Sequence, residues 1–357
     1  MHTAATTRVV IARSSVGRAA PRLIKEPGRE SSPGPVFRNV TRVFGALGAS
    51  PPGVRHHRRV TPLRPLRESD IESVLGLYRR AFGDERPIDA AEILSWLRNP
   101  EISRERLRVL EEDRLVAGYG DVWVGETDVE LEVAAPNHWS VFLEWAEDTA
   151  RTHALPRVRV ADYRADSGLA AAAAARGYSF WRSAFTMRID FEEASPTPGA
   201  LPSGISLGAF RDEDEEPLRV ALNEVFAADP FFHELSPEQF REFHLRHRAF
   251  DPSLWLLART PAGIAGFVLA FPEWMGDRAV GSIASLGVRA RWRRRGLGDA
   301  LLRSALHALH LRGLQAATLG VDASNETGAV RLYERAGMRV ERQIDNWALD
   351  LKKRTRV

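Results

Sequence analysis

The chain has 357 residues, 44% of them hydrophobic, and it contains no cysteine. This length allows two domains of ordinary size, each able to bury its own core. Without cysteine the chain cannot form disulfides, thiolate metal sites or a cysteine nucleophile, and we expect a cytoplasmic protein. No apolar run approaches the roughly 20 residues of a membrane-spanning helix, so no membrane partner is expected.

Positive charge is concentrated at the start of the chain. The whole sequence has a formal net charge of +3 and a pI of about 9.5. Residues 1–59 contain 11 Lys and Arg against 2 Asp and Glu, a net of +9, and the remaining residues have a net of −6. The rest of the protein is therefore mildly acidic, and we expect no nucleic-acid partner for it.

Residues 1–59 are rich in Arg, Ser, Pro and Gly and show no sustained period, a composition typical of disorder. Three explanations stay open: an organelle-targeting peptide, a nucleic-acid-binding tail, or sequence that precedes the native start. Residues 12–20, ARSSVGRAA, resemble peptides produced when a tRNA gene is read as protein, which favours the third.

An internal repeat follows this leader. Residues 67–82 and 211–226 share an Arg, an acidic turn and a Phe at equal spacing, and each segment predicts a strand end, a capped turn and an amphipathic helix. Residues 107–124 and 254–271 both predict a hairpin. A third match, also equally spaced, pairs Arg176-Gly177-Tyr178 and Met187 with Ala336-Gly337-Met338 and Trp347.

We therefore predict an α/β fold of two tandem units, each a mixed, mostly antiparallel sheet flanked by helices. The first unit spans residues 60–193 and the second spans residues 205–357. Residues 194–204 are rich in Pro and Gly and are predicted to be a linker.

The second unit contains a predicted anion-binding loop. Residues 293–299, RRRGLGD, follow an apolar strand and precede a helix. Gly296 and Gly298 allow a tight turn with exposed backbone N–H groups, while the arginines and the helix N-terminus add positive charge. Neither the Walker pattern nor the Rossmann pattern is present, and we expect a phosphorylated ligand.

The first unit lacks this loop. Its corresponding segment, residues 135–140, reads APNHWS, without glycine or arginine. Pro136 has no N–H to donate, and Trp139 would crowd a pyrophosphate at the backbone. We interpret the first unit as a degenerate partner that covers one side of the second or shapes its substrate cleft.

The pattern Arg-x-x-Gly-x-Gly after a strand resembles the acetyl-CoA loop of the GNAT N-acetyltransferases. Residues 319–338 also resemble that family's strand, Asn, Leu-Tyr helix and final Gly-Phe, which here is Gly337-Met338. The resemblance covers roughly residues 204–352 and implies transfer of an acetyl group from acetyl-CoA to an unidentified primary amine. The tandem arrangement is similar to that of the mycothiol synthases, which acetylate an amine on a sugar-linked cysteine precursor.

The resemblance implies a set of cofactor contacts. The strand that ends at residues 286–288 would meet the acetyl carbonyl and pantetheine through its backbone, and N–H groups there would stabilise an oxyanion. Residues 293–299 would bind the pyrophosphate. Asn325 would bind a pantetheine amide, or cap the following helix, or do both. The predicted contacts are Leu286, Gly287, Val288, Arg293, Arg294, Arg295, Gly296, Leu297, Gly298, Asp299 and Asn325.

Tyr333 is the predicted general acid. An unperturbed phenol, with a pKa near 10, is protonated at neutral pH and can donate to a departing thiolate. The alternative is an aromatic side chain that packs one helix face together with Leu332.

A general base is not singled out by the sequence. Candidates are Glu273, Asp229, His233 and Glu234, each of which has a solvated surface charge as its ordinary explanation. The segment 229–233 could wall a substrate pocket or pack in the core. His244, His247, His307 and His310 are expected to be structural or surface residues, and no metal site is predicted.

Since no cysteine can form an acyl-enzyme, direct attack by the amine is the expected mechanism. Two other hypotheses about the function stay open. One is a non-catalytic acyl-CoA-binding or regulatory protein; the other is an RNA- or DNA-binding protein that uses the leader and residues 289–295, with salt-sensitive affinity.

Overall fold

The computed structural model describes residues 63–83, 86–98, 104–125, 127–164, 167–192, 195–229, 232, 234–275, 277–325 and 328–351. The leader at residues 1–59 lies outside this described part.

Both repeats have the same order of elements, which confirms the predicted tandem α/β architecture. The first contains β1 (Arg64–Pro65), α1 (Ile71–Phe82), α2 (Ala90–Arg98), β2 (Leu107–Glu112), β3 (Leu115–Val124), β4 (Val129–Ala134), α3 (Trp139–Thr152), β5 (Arg157–Asp162), α4 (Leu169–Ala175) and β6 (Ser179–Asp190). The second contains β7 (Ser206–Ala209), α5 (Glu215–Phe226), α6 (Pro237–Phe240), β8 (Trp255–Thr260), β9 (Gly263–Phe271), β10 (Val280–Val288), α7 (Leu297–Leu311), β11 (Ala316–Asp322), α8 (Ala329–Arg335) and β12 (Arg339–Asp350).

The two repeats share one sheet of 12 strands in the order β1-β2-β3-β4-β5-β12-β6-β11-β10-β9-β8-β7. Each repeat gives its last strand to the other. Strand β6 pairs with β11, for example Met187 opposite Leu319, and β12 pairs with β5, for example Trp347 opposite Val160. The residue ranges predicted from sequence therefore do not correspond to two separate sheets.

The predicted capped turns are present at matching positions. The Asp70 carboxylate accepts the backbone N–H of Arg67 at 2.8 Å, and Asp214 accepts that of Arg211 at 2.8 Å. Each aspartate thereby satisfies a donor that the helix start leaves open. The helices that follow, α1 and α5, place their apolar faces against the sheet.

Hydrophobic packing follows the repeat. One core lies in the first repeat and includes Tyr78 and Phe142. The second repeat has two cores: one packs α7 and α8 against the sheet, and the other packs α5 and α6 against it. Within the residues given above, no helix is long and apolar enough to cross a bilayer.

The predicted linker packs on the second repeat. The backbone oxygen of Pro196 lies 2.8 Å from Nδ1 of His307 on α7. A Cβ added to Gly199 would lie only 2.4 Å from the Cα of Ala300, so the linker backbone approaches the same helix closely.

Candidate active site

An opening forms where β10 and β11 separate. The two strands pair in parallel only between Val280–Ile283 and Ala316–Leu319. A bulge at Ala284 shifts the register of β10, and from Ser285 to Val288 the strand pairs with β9 alone. In this described region, backbone groups of β10 that face β11 therefore have no strand partner, and they can bind an extended ligand in its place.

The glycine-rich loop lies beside the wide end of this opening. Gly296 is the N-cap of α7 and has a left-handed backbone, with φ 81°. The first N–H with an intrahelical acceptor belongs to Ala300, which donates to the Gly296 oxygen at 3.0 Å. The N–H groups of Leu297, Gly298 and Asp299 therefore point beyond the helix start, as an anion site requires.

The loop has room for a ligand. A Cβ added to Gly296 would meet no atom within 4 Å, so this backbone faces open space. A Cβ on Gly298 would lie 3.5 Å from Leu332 of α8 and 3.8 Å from Val288 of β10. Gly298 therefore lies where the end of β10 approaches α8, the helix that contains Tyr333.

The arginines of the loop have different roles. The Nε of Arg293 donates to the carbonyl oxygen of Val288 at 2.9 Å, which ties the loop to the end of β10. The guanidinium of Arg295 lies 5.2 Å from the ring centroid of Trp292. Arg294 has φ 59° and is exposed. The exposed guanidinium groups add positive charge around the helix N-terminus.

Asp299 is a predicted cofactor contact whose carboxylate has another partner. It accepts a hydrogen bond from Nε of Arg303 at 2.8 Å, one turn further along α7. A carboxylate facing a pyrophosphate would repel it. Only the backbone N–H of Asp299, and not its carboxylate, is therefore suited to an anion.

Asn325 lies in the turn between β11 and α8. Its backbone N–H donates to the carbonyl oxygen of Asp322 at 3.0 Å. The N-cap of α8 is Gly328, so the alternative of Asn325 as the helix cap is wrong. The turn instead places Asn325 at the end of β11, beside the opening.

Tyr333 belongs to the core beneath α8 and is 7% exposed. The packing role considered for it is therefore present. Burial also raises the pKa of its phenol to about 12, so the hydroxyl carries its proton at neutral pH. A proton-donor role and a packing role are compatible in one side chain.

Among the candidate bases, Glu273 has two polar partners. Its carboxylate, buried after β9, lies 2.5 Å from Nη2 of Arg248. Its backbone oxygen accepts the hydroxyl of Ser282 at 2.8 Å. Asp229 is half-buried and Glu234 is exposed, whereas His233 lies outside the described residues.

The aromatic segment is described only in part. Phe232 packs against Phe226 with ring centroids 5.6 Å apart, while Pro230 and Phe231 lie outside the described residues. The expectation of structural histidines fits the contacts seen. His244 is buried in a stack on Phe240, and its pKa is lowered by that burial to about 4.

The other histidines also have packing contacts. His247 packs against Phe271 at 4.6 Å between ring centroids. His310 meets Phe191 in an edge-to-face contact at 5.4 Å.

The corresponding opening of the first repeat is filled by side chains. Strand β4 pairs with β5 only over Val129–Leu131. Beyond that point Glu132 accepts hydrogen bonds from Tyr78 at 2.6 Å and Tyr163 at 3.1 Å, and it lies 3.2 Å from Arg86. Trp139, at the start of α3, is 5% exposed. This buried network joins β4 to Tyr163, the residue after β5, across the place where the two strands separate.

Sequence reasoning missed the contribution of β6 to the second repeat. Arg182 of β6 forms an ion pair with Asp322, the last residue of β11. The two residues are 140 positions apart. No local pattern marks Arg182, so only the strand exchange could have indicated it.

Comparison with known proteins identifies the family. A model described as the acetyltransferase (GNAT) family matches residues 220–338. A mycothiol acetyltransferase of Salinispora arenicola is 34% identical over 296 residues, which cover 78% of this chain and 93% of that relative. A mycothiol acetyltransferase of an Arthrobacter species is 34% identical over 169 residues, covering 46% of this chain and 52% of that relative.

Solved structures share the tandem fold. A GCN5-related N-acetyltransferase from Sphaerobacter thermophilus is 26% identical, with a TM-score of 0.67, and covers 81% of this chain and 95% of its own. A tandem GNAT protein of the clavulanic acid biosynthesis pathway matches the fold with a TM-score of 0.61 at 17% identity, covering 81% of this chain and 98% of its own. The chain therefore belongs to the acetyltransferase (GNAT) family, whose members use acetyl-CoA, and it is an N-acetyltransferase.

Proposed function

We propose that the second repeat binds acetyl-CoA between β10 and β11 and transfers the acetyl group to the amine of a sugar-linked cysteine precursor of mycothiol. The observation that carries the proposal is the opening between β10 and β11 beside the free N–H groups of residues 297–299. The names of the relatives, matched over 93% of the length of one of them, support the choice of acceptor.

The residues present fit the cofactor. Backbone N–H groups at the start of α7 and the surrounding arginines suit a diphosphate. The unpaired edge of β10 at Ser285–Val288 suits the amides of pantetheine and the oxygen of a thioester. The amide of Asn325 can donate and accept at the same opening.

Acetyl-CoA supplies an activated acetyl thioester, and the chain supplies positioning and a proton. The N–H groups near the bulge of β10 are the donors proposed for the developing oxyanion. The Tyr333 phenol, protonated at neutral pH, is the proposed proton donor to the leaving thiolate. The acceptor amine is proposed to attack directly, since no cysteine is present to carry the acetyl group.

The non-catalytic alternative is not favoured, because the relatives are named as acetyltransferases. The nucleic-acid alternative also has little support in the described loop. There Arg289 pairs with Glu224, and Arg293 donates to Val288. These two arginines are engaged within the protein, and the basic leader lies outside the described residues.

The proposal is tested by incubating the purified chain with acetyl-CoA and a panel of amines. The panel contains a cysteine amide-linked to an amino sugar, free cysteine, the amino sugar alone and a lysine peptide. Because a cysteine acceptor has its own thiol, the product is followed by mass spectrometry rather than by a thiol reagent. The expected result is the highest kcat/KM for the cysteinyl sugar. Equal rates for the lysine peptide would contradict this acceptor, and no acetylation of any amine would contradict the mechanism.

A further inference from the structure

The first repeat reaches the cofactor opening of the second through one arginine. Strand β6 pairs with the full length of β11, from Ala184 opposite Asp322 to Asp190 opposite Ala316. Arg182, two residues before this paired stretch, forms an ion pair with Asp322 through Nη1. A residue of the first repeat thus contacts the end of the strand that forms one side of the opening.

Asp322 organises the turn that contains Asn325. Its Oδ1 accepts the backbone N–H of Ser324 at 2.9 Å and the hydroxyl of the same residue at 2.8 Å. Its carbonyl oxygen accepts the N–H of Asn325 at 3.0 Å. The neighbouring Ala323 N–H donates to the carbonyl oxygen of Ser183 on β6 at 3.0 Å. The turn of residues 322–325 therefore has two contacts with β6, the ion pair with Arg182 and the hydrogen bond to Ser183.

The guanidinium of Arg182 is itself held in place. It stacks on Trp181 at 4.4 Å from the ring centroid, and Arg159 of β5 lies over the same ring at 5.1 Å. The Asp322 side chain is 6% exposed and that of Arg182 is 24% exposed. Removing the guanidinium would leave a nearly buried carboxylate without this cation, and the turn would have to move to solvate it.

We propose that Arg182 is a positioning residue for the acetyl-CoA site of the second repeat. It fixes the carboxylate of Asp322, which fixes the turn of residues 322–325 and so the amide of Asn325. This inference rests on the proposed cofactor site between β10 and β11. It also gives the first repeat a role in catalysis, although its own opening is filled by side chains.

The chain offers a matched control for the test. Arg188 lies on the same strand, and its side chain is 25% exposed. It pairs with Asp190 at 2.7 Å, away from the turn. Arg182→Gln and Arg188→Gln therefore remove one ion-paired guanidinium each, with similar exposure, and only the first touches Asp322.

Steady-state kinetics with acetyl-CoA as the varied substrate separate the two variants. We expect Arg182→Gln to raise the KM for acetyl-CoA about tenfold, with kcat within about twofold of wild type. Arg182→Lys should recover part of the loss, and Arg188→Gln should resemble wild type. An unchanged KM in Arg182→Gln, or an equal rise in Arg188→Gln, would overturn the proposal.

A double-mutant cycle tests whether Arg182 acts through Asp322. Asp322→Asn keeps an acceptor for Ser324 and removes the charge. If the two residues act as a pair, the double variant that carries Arg182→Gln and Asp322→Asn should raise the KM for acetyl-CoA no more than the single variant with the larger effect. Additive effects would overturn the proposed route. Should Arg182→Gln give no folded protein, Asp322→Asn alone carries the test, with the same rise in KM expected and an unchanged KM contradicting it.

The wild-type protein separates this inference from the proposed function. Acetyl transfer by wild type together with an unchanged KM in Arg182→Gln would contradict only the positioning role. No acetyl-CoA binding by wild type in calorimetry would contradict the cofactor site itself, and with it this inference.

Discussion

Arg293 joins the glycine-rich loop of residues 293–299 to the strand beside it, because its Nε donates to the carbonyl oxygen of Val288 at 2.9 Å. This hydrogen bond links the end of β10 to the loop that begins α7. Ligand groups bound to the strand edge and to the helix N-terminus would be held in a fixed relation, and such preorganisation lowers the entropic cost of binding.

The first prediction concerns Gly296. In Gly296→Asp we expect acetyl-CoA affinity to fall at least tenfold, because a carboxylate would occupy the open space in front of the N–H groups and repel a diphosphate. Calorimetric titration with acetyl-CoA measures the effect.

Gly313, at the other end of α7, provides the control. Like Gly296 it has a left-handed backbone, with φ 75° against 81°, and a Cβ on either residue would meet no atom within 4 Å. Gly313→Asp should cost similar backbone strain but leave acetyl-CoA affinity unchanged. Equal losses in both variants would show that strain, and not blockage of the site, is responsible.

The second prediction concerns the hydroxyl of Tyr333. Tyr333→Phe keeps the ring in the core and removes the proposed acid. We expect kcat to fall about 100-fold with little change in the KM for acetyl-CoA, since general acid catalysis typically contributes that much. Steady-state rates and a thermal melt measure both effects.

Tyr178 of the first repeat is the matched control, because it is also a buried tyrosine. Its hydroxyl has no partner among the described residues. Tyr178→Phe should keep wild-type turnover. Full activity in Tyr333→Phe would remove the acid assignment.

The third prediction follows from the phenol's titration. Burial raises the pKa of Tyr333 from 10.0 to about 12, so the folded protein binds this proton more tightly than the unfolded chain does. The stability that this provides is complete below pH 10 and is lost between pH 10 and about 12. Because the phenol of the folded protein keeps its proton up to about pH 10, kcat should show no decline below that pH from deprotonation of Tyr333. A decline centred near pH 8 that disappears in Tyr333→Phe would contradict this.

The fourth prediction concerns the exchanged strands. A fragment of residues 205–357 lacks β6, so β11 keeps β10 but loses its antiparallel partner over Ala316–Asp322. Strand β12 loses both of its neighbours, β5 and β6. Unpaired strands promote aggregation. We expect this fragment alone to be insoluble or partly unfolded by circular dichroism, and co-expression with residues 63–204 to restore a soluble complex. A monomeric fragment with a cooperative melt would contradict the prediction.

The fifth prediction concerns His244, stacked on Phe240 and in edge contact with Trp255. Burial lowers its pKa from 6.5 to about 4. Between these values the unfolded chain takes up a proton that the folded protein does not, so the free energy of unfolding falls as pH drops from 6.5 to 4. The loss from this residue reaches about 3 kcal/mol.

Urea unfolding at several pH values tests the effect of His244. The variant His244→Leu should lose part of the acid sensitivity, with some remaining because burial also lowers the pKa of His247. His153→Leu replaces an exposed histidine and should keep the wild-type slope. An unchanged slope in His244→Leu would show that this residue is not the source.

Local features were predictable from sequence because short-range sterics and hydrogen bonding dictate them. The glycine loop before α7, the aspartate-capped turns at Asp70 and Asp214, and the two hairpins all follow from spacing within a few residues. The same spacing indicated the tandem repeat. The side-chain roles were less well determined, since Asp299 pairs with Arg303 and Gly328 caps α8 in place of Asn325.

The sequence by itself determined the repeated α/β unit and the position of the glycine-rich loop before α7. Only the tertiary structure decided that each repeat completes the other's part of the sheet, that Glu132 and its partners fill the first opening, and that Arg182 reaches Asp322. These contacts join residues far apart in the chain, and their formation depends on which strands pair. Strand pairing is chosen by burial over the whole sheet, which no short stretch of sequence encodes.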